Sequence, residues 1–353
     1  MSADAPIRVL VADDSPTARA ALAAVLEADE DFEVVAEAVD GAHAVELVRM
    51  FQPALVLMDI EMPRLDGFEA TRRIMSENPT RVVMVSGRFE PHQVHVVVQA
   101  VRAGALTVVP KPRAPAGTDS LEAARLRTLA KALAQVKVVR QRGSCGAPRP
   151  LPSIARRAGV DRPALGVVGV AASTGGPAAV FRLLQLMPPT LGVPIVVVQH
   201  IAPGFLDGLT TWLAGATSLP VKVAQDGEEL RRGHVYLAPD QRHIRIHDGL
   251  VHLSAETADG GFCPSADVLF TSLADSYGST AAGVILSGMG HDGVHGAAAL
   301  RQAGGLVLAQ DDSSVIFGMP RAVAAAGLAH LVGPVEELAA QIIRSAVPRA
   351  VVA

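Results

Sequence analysis

Two groups of side chains in this sequence could do chemistry: Ser173, His200 and Asp292, and a second set of Asp13, Asp14, Asp59, Ser86 and Lys111. A serine hydroxyl is a poor nucleophile near neutral pH and needs a base. Imidazole, which titrates near about 6.5, can be that base, and a carboxylate then fixes its tautomer and stabilises the cation that forms. The tetrahedral intermediate needs N–H donors. The turn at Ser173-Thr174-Gly175-Gly176 and the glycine-bracketed loop around Met289 are candidates to supply them, through the Thr174 and Met289 amides. In the second set, three carboxylates gathered together repel one another, and a hard divalent cation relieves them. Mg²⁺ fits, because it takes few protein ligands and bridges to phosphate. Lys111 would add a point charge for a phosphoryl group and Ser86 a hydrogen bond, with Asp59 as the nucleophile that accepts the group.

Both sets must be held at strand ends. Ile7 to Ala12 is an apolar run that stops at Asp13-Asp14-Ser15-Pro16, after which Ala18, Leu22, Val25 and Leu26 recur at helical spacing. Phe32 to Ala38 reads as a strand and Gly41 to Phe51 as a helix. Ala54 to Met58 is a buried strand ending at Asp59, with a helix to about Glu77. Arg81 to Val85 ends at Ser86, Pro91 to Ala103 is a helix, and Leu106 to Val109 ends beside Lys111-Pro112. This alternation predicts a doubly wound parallel sheet, whose carboxyl edge would collect the acidic residues, Ser86 and Lys111 in one crevice. Asp119 to Val139 is a further helix.

A second α/β domain follows a change of composition. Gln141 to Pro163 mixes Arg, Gly, Pro and Ser without hydrophobic period, so residues 136–164 are predicted as a linker between domains at 7–135 and 165–346. Gly166 to Ala172 reads as a strand that turns at Ser173 into a helix opened by Pro177. Val193 to Val198 ends at Gln199-His200, and Ala281 to Leu286 ends in Ser287-Gly288-Met289-Gly290-His291-Asp292-Gly293 before a helix from Val294 to Ala303. Gly233 to Ala238, His243 to Leu253 and Leu306 to Ala309 read as further strands, and Ser265 to Tyr277 as a helix. Ser173, His200 and Asp292 then follow three parallel strands on one sheet edge.

Composition excludes several classes. With 353 residues, half of them hydrophobic, the chain has enough apolar material for two cores. A formal net charge of −4 gives no reason to expect nucleic-acid binding. Two cysteines without paired spacing, Cys145 and Cys263, fit a reducing compartment, and Cys263 reads as a buried small side chain. The N-terminus lacks a leader pattern and no apolar run reaches about 18 residues, so a cytoplasmic protein with no membrane insertion is expected. A dinucleotide site fails because G-x-G-x-x-G is missing and the next strand ends in Gln199-His200 rather than an acidic residue. His291 and His295 are four apart, yet Gly293 and the loop character of the segment favour solvated loop residues over a metal site.

The first domain resembles response-regulator receivers in Val11-Ala12-Asp13-Asp14-Ser15, Leu57-Met58-Asp59-Ile60-Glu61-Met62-Pro63, Val85-Ser86 and Lys111-Pro112. That resemblance implies a flavodoxin-like fold, Mg²⁺ held by Asp13, Asp14 and Asp59, and phosphorylation of Asp59 by a histidine kinase of the chemotaxis system. Val108 departs from the aromatic residue often found there. The second domain resembles the protein-glutamate methylesterases of bacterial chemotaxis in Ala172-Ser173-Thr174-Gly175-Gly176, Gln199 to Phe205, Tyr236-Leu237-Ala238-Pro239, Pro264 to Phe270, Leu286 to Gly293 and Phe317-Gly318-Met319-Pro320. It implies a Rossmann-like domain with no cofactor of its own. The triad would be Ser173, His200 and Asp292, with Met289 as a backbone oxyanion donor. His291 stands where Asn is common, and Gly261-Phe262-Cys263 where basic residues are frequent. The implied substrates are methylated chemoreceptors. Hydrolysis of their glutamate methyl esters would release methanol, with room for deamidation of receptor glutamines. On this reading the unphosphorylated receiver lies across the Ser173, His200 and Asp292 edge, and phosphorylation loosens it. The alternative is a signalling regulator whose second domain binds a partner without catalysis.

Overall fold

Valine- and leucine-rich runs too short for helices become parallel strands, and the amphipathic segments between them cover both faces of each sheet. The computed structural model describes residues 5–87, 99–100, 102–112, 120–134, 163–201, 203–256 and 261–347. The chain divides into two units, one within Met1–Cys145 and one within Gly146–Ala353.

In the first unit, strands β1 (Ile7–Ala12), β2 (Phe32–Ala38), β3 (Leu55–Asp59), β4 (Arg81–Ser86) and β5 (Thr107–Pro110) form a parallel sheet ordered β2-β1-β3-β4-β5. Helices α1 (Pro16–Glu27), α2 (Gly41–Phe51), α3 (Gly67–Glu77) and α4 (Leu121–Ala134) accompany them. The order reverses at β1 and β3, the position where open sheets of this topology leave a crevice at their carboxyl ends. The helices start on side-chain caps: Ser15 Oγ accepts from Ala18 N, Asp40 from His43 N and Asp66 from Glu69 N. The fifth strand begins one residue later than expected and ends on Pro110. A strand at the sheet edge tolerates that proline because one side of its ladder is unused. Of the helix expected at Pro91 to Ala103, residues 91–98 and 101 lie outside the described residues. The ends of the one expected at Asp119 to Val139 fall outside them as well, as does nearly all of the linker.

The second unit is built on a seven-stranded parallel sheet ordered β14-β13-β12-β6-β7-β9-β8. Its strands are β6 (Val167–Ala172), β7 (Ile195–Gln199), β8 (Val221–Val223), β9 (Val235–Leu237), β12 (Ala281–Ile285), β13 (Leu306–Gln310) and β14 (Leu331–Gly333). The helices are α5 (Gly176–Gln185), α6 (Leu206–Ala214), α7 (Ala266–Tyr277), α8 (Val294–Gln302), α9 (Met319–Ala325) and α10 (Val335–Ala346). The stretch expected as one strand from His243 to Leu253 is instead an antiparallel hairpin of β10 (His243–His247) and β11 (Leu250–Ser254). Its turn is Asp248-Gly249, both at positive φ, a dipeptide suited to a tight hairpin. Chain order reverses around β6, which lies between β12 and β7 and is buried along its whole length. Ala172 pairs with Gln199 and Ala171 with Ile285, so the residues leaving these three strands emerge side by side.

Helix α7 packs its buried Leu269, Phe270 and Leu273 into the core with β6, β12 and the hairpin. Phe270 is fully buried. Phe270→Ala should cost about 3–5 kcal/mol of second-unit stability. Urea unfolding followed by Trp212, which belongs to this unit, measures that cost; a loss below about 1 kcal/mol would show that α7 is not an anchor of this core.

Candidate active site

The turn that carries Ser173 leaves its hydroxyl uncommitted. Helix α5 begins on Gly175 in the left-handed region (φ 74°) with no side-chain cap, so Ser173 is not spent in capping it. A Cβ on Gly175 would stand 2.5 Å from Val315 Cβ and 2.7 Å from Ser287 Oγ, so position and conformation both require glycine. Gly176 takes the first helical position and Pro177 the second. Neither the hydroxyl of Ser173 nor that of Thr174 makes a hydrogen bond among the described residues.

His200 follows β7 directly, and its amide donates to the Ala172 carbonyl at 2.8 Å, which places it beside Ser173. Its Nε2 lies 2.8 Å from Asp292 Oδ2. Asp292, on the loop after β12, is buried and accepts three further hydrogen bonds from the start of α7: Ser265 Oγ to Oδ1 at 2.8 Å, Ala266 N to Oδ2 at 2.7 Å and Asp267 N to Oδ1 at 3.0 Å. Burial alone would raise this carboxyl. The hydrogen bond and charge of His200, with the helix amides, overcome that and hold it down to about 2. An ionised Asp292 can only accept, so Nε2 carries the proton in a neutral His200. Nδ1 is then a bare lone pair, and it is buried without a hydrogen-bond partner. No hydrogen bond joins Ser173 Oγ to His200; such contacts are often loose until substrate is bound.

Two peptide planes are turned by the same device. The Ser173 carbonyl accepts from Gly176 N and from Gln199 Nε2, both at 2.8 Å. The Gly288 carbonyl accepts from Gly318 N at 3.1 Å and Met319 N at 2.8 Å. In a trans peptide the next N–H points the opposite way, so the Thr174 and Met289 amides face away from these contacts. Neither finds a partner among the described residues. The two planes are adjacent, since a Cβ on Gly288 would come within 2.9 Å of Ser173 Cβ. Gln199, Ser265 and Ser287, whose hydroxyl donates to the Thr174 carbonyl at 2.8 Å, were not singled out by sequence reasoning. Only Gln199, directly before His200, carried a positional signal.

The remaining expectations need smaller adjustments. Cys263 is exposed rather than buried, because it lies on the surface segment leading to the buried Pro264 and Ser265. His291 is exposed in its loop, whereas His295 is exposed on the first turn of α8. Neither belongs to a cluster of metal-ligating groups among the described residues.

In the first unit, Asp13, Asp14 and Asp59 bring carboxylate oxygens within 4.8 Å of one another. Lys111 Nζ lies 2.6 Å from Asp13 Oδ2 and 2.9 Å from Asp59 Oδ1. Burial acts to lower the Lys111 ammonium, yet these two bonds more than offset it, so it stays charged. Burial raises Asp59 to about 6 against the opposing pull of Lys111. Ser86 is buried, and Asp14, Asp59, Ser86 and Lys111 line a cleft of about 970 Å³ together with Glu61 and Asp66. The all-oxygen donor set of Asp13, Asp14 and Asp59 fits a hard divalent cation. A carboxyl raised in the fold stabilises it at low pH and loses that contribution as pH rises from about 4 through about 6. Metal-free unfolding curves across that range should therefore show a decline that Asp59→Asn removes; an unchanged decline in the variant would assign it to another group.

The geometry can be set beside known proteins. The chain matches the CheB methylesterase family over residues 168–342 and the response regulator receiver domain over residues 9–120. It is 51% identical over 343 residues to a protein-glutamate methylesterase/protein-glutamine glutaminase of Myxococcus xanthus, covering 96% of each chain. A relative of the same description from Anaeromyxobacter dehalogenans is 47% identical over 330 residues, covering 92% of this chain and 95% of that one. Another, from Syntrophus aciditrophicus, is 37% identical over 344 residues, with 96% and 98% covered. The chain therefore belongs to the CheB methylesterase family, as an enzyme of the protein-glutamate methylesterase/protein-glutamine glutaminase type that carries a response regulator receiver domain.

Proposed function

We propose that this enzyme hydrolyses glutamate methyl esters on chemoreceptors through Ser173, His200 and Asp292, at a rate governed by phosphorylation of Asp59. The observation that carries the reading is the bare, buried Nδ1 of His200, whose amide is bonded to the Ala172 carbonyl directly before Ser173, with Nε2 tied to an ionised Asp292. Ser173 Oγ attacks the ester carbonyl carbon while its proton passes to His200 Nδ1. The carbonyl oxygen becomes an oxyanion held by the Thr174 and Met289 amides. Collapse expels methanol, which takes the proton back from His200 and leaves an acyl-enzyme. Water then attacks with His200 as base, releasing the glutamate carboxylate and restoring Ser173. A glutamine side chain follows the same course with ammonia leaving, which is the deamidation described for the relatives.

In the receiver, taken as residues 7–135 and joined through 136–164 to the catalytic domain at 165–346, Asp59 receives the phosphoryl group from a histidine kinase. Lys111 and Ser86 bind its oxygens. Asp13, Asp14 and Asp59 would hold Mg²⁺, which when bound neutralises the charge gathered around the transferred group. Among the described residues no helix is long and apolar enough to cross a membrane. The reading is of a cytoplasmic enzyme that meets the cytoplasmic helices of its receptors.

Methanol release from methylated receptor membranes tests this, with and without a small-molecule phosphodonor plus Mg²⁺. Ser173→Ala and His200→Ala should each lower turnover by about a thousandfold or more, and Asp59→Ala should abolish the rise with phosphodonor. Folded enzyme that releases no methanol under either condition would favour a binding regulator instead. Turnover surviving in His200→Ala would remove that residue from the mechanism.

A further inference from the structure

Phe262 lies face to face with the imidazole of His200. The ring centroids are 4.7 Å apart and the planes only 5° from parallel. At 37% exposed, Phe262 adds little to the core. A Cβ on Gly290 would stand 4.0 Å from its Cζ, so the ring reaches from the imidazole toward the loop that carries Met289. The imidazole is thus held at Nε2 by Asp292 and across one face by Phe262, and Nδ1 is the nitrogen left for a proton.

The charge on that imidazole changes during the reaction. Taking the proton of Ser173 turns a neutral ring into a cation, and the face of a phenyl ring is the negative part of its quadrupole. The stack is therefore more favourable to the imidazolium than to the imidazole. An interaction that strengthens as the transition state forms lowers the barrier without tightening substrate binding. We propose that Phe262 is a positioning residue for His200, fixing the plane of its ring and favouring the cation it becomes when Ser173 is deprotonated. The proposal rests on the Ser173 and His200 mechanism above.

The test uses the full-length enzyme and methanol release from methylated receptor membranes. Phe262→Leu keeps an apolar cover but has no π face, and its kcat should fall about fivefold with KM unchanged. Phe262→Tyr and Phe262→Trp should retain kcat. Replacing Phe262 with mono-, di- and trifluorinated phenylalanine drains the face of the ring with little change of shape, and kcat should fall at each step. A kcat indifferent to fluorination, or a loss in Phe262→Leu confined to KM, would overturn the proposal; the second would make Phe262 a substrate contact. His200→Ala separates the two layers of the account. Turnover that survives it overturns the mechanism and this proposal together, whereas a dead His200→Ala with a flat fluorine series overturns the role of Phe262 alone.

Discussion

One buried negative charge organises the catalytic half of this protein. Asp292 is withdrawn from water, which by itself would neutralise it, and it stays ionised because the start of α7 meets it with the Ser265 hydroxyl and the Ala266 and Asp267 amides while His200 supplies the fourth hydrogen bond. The free N–H groups of a helix start and its dipole favour an anion there. The direction of the His200 ring follows. With Nε2 committed to the carboxylate, Nδ1 is left buried without a partner. The packing of α7 against β6 and β12 is thus also what fixes the His200 ring, because the helix that anchors the core carries the donors that hold Asp292.

The two domains face a similar electrostatic problem and resolve it differently. In the esterase domain His200 and the fixed dipoles of a helix start hold a buried carboxylate ionised at neutral pH. In the receiver, Asp13 and Asp59 share one lysine, and burial leaves Asp59 raised to about 6. Partly unbalanced charge is what the proposed uptake and release of a phosphoryl group and a cation at Asp59 would need. Both sites lie where strand order reverses, at β1 and β3 in one sheet and around β6 in the other, because there neighbouring helices leave on opposite faces and open a crevice.

Much of this was legible in the sequence. Asp13, Asp59, Ser86, Ser173 and His200 each follow a short valine-rich run, and each parallel sheet gathers its own residues along one edge. Helix α2 occupies the expected residues, Gly41 to Phe51, because apolar period and the Asp40 cap agree. Long-range contacts between side chains were not legible. Ser265 Oγ on Asp292, Gln199 Nε2 on the Ser173 carbonyl and Phe262 over His200 join distant segments or turn on side-chain direction, which no periodicity encodes. The hairpin at Asp248-Gly249 did carry a signal, obscured because β10 and β11 are both short and apolar enough to read as one strand. Cys263 fell to the general tendency of cysteine to be buried; the buried Pro264 and Ser265 that follow it leave it outside.

The proposed role of His200 requires its proton on Nε2, and which nitrogen holds it can be measured directly. The ¹⁵N spectrum of histidine-labelled enzyme near neutral pH, with the His200 signals assigned by their absence in His200→Ala, distinguishes the two tautomers. A neutral ring protonated at Nε2 and bare at Nδ1, with that preference weakened in Asp292→Asn, is the predicted result. A neutral ring protonated at Nδ1 would contradict it, since His200 would then have no lone pair turned toward Ser173 and could not serve as its base.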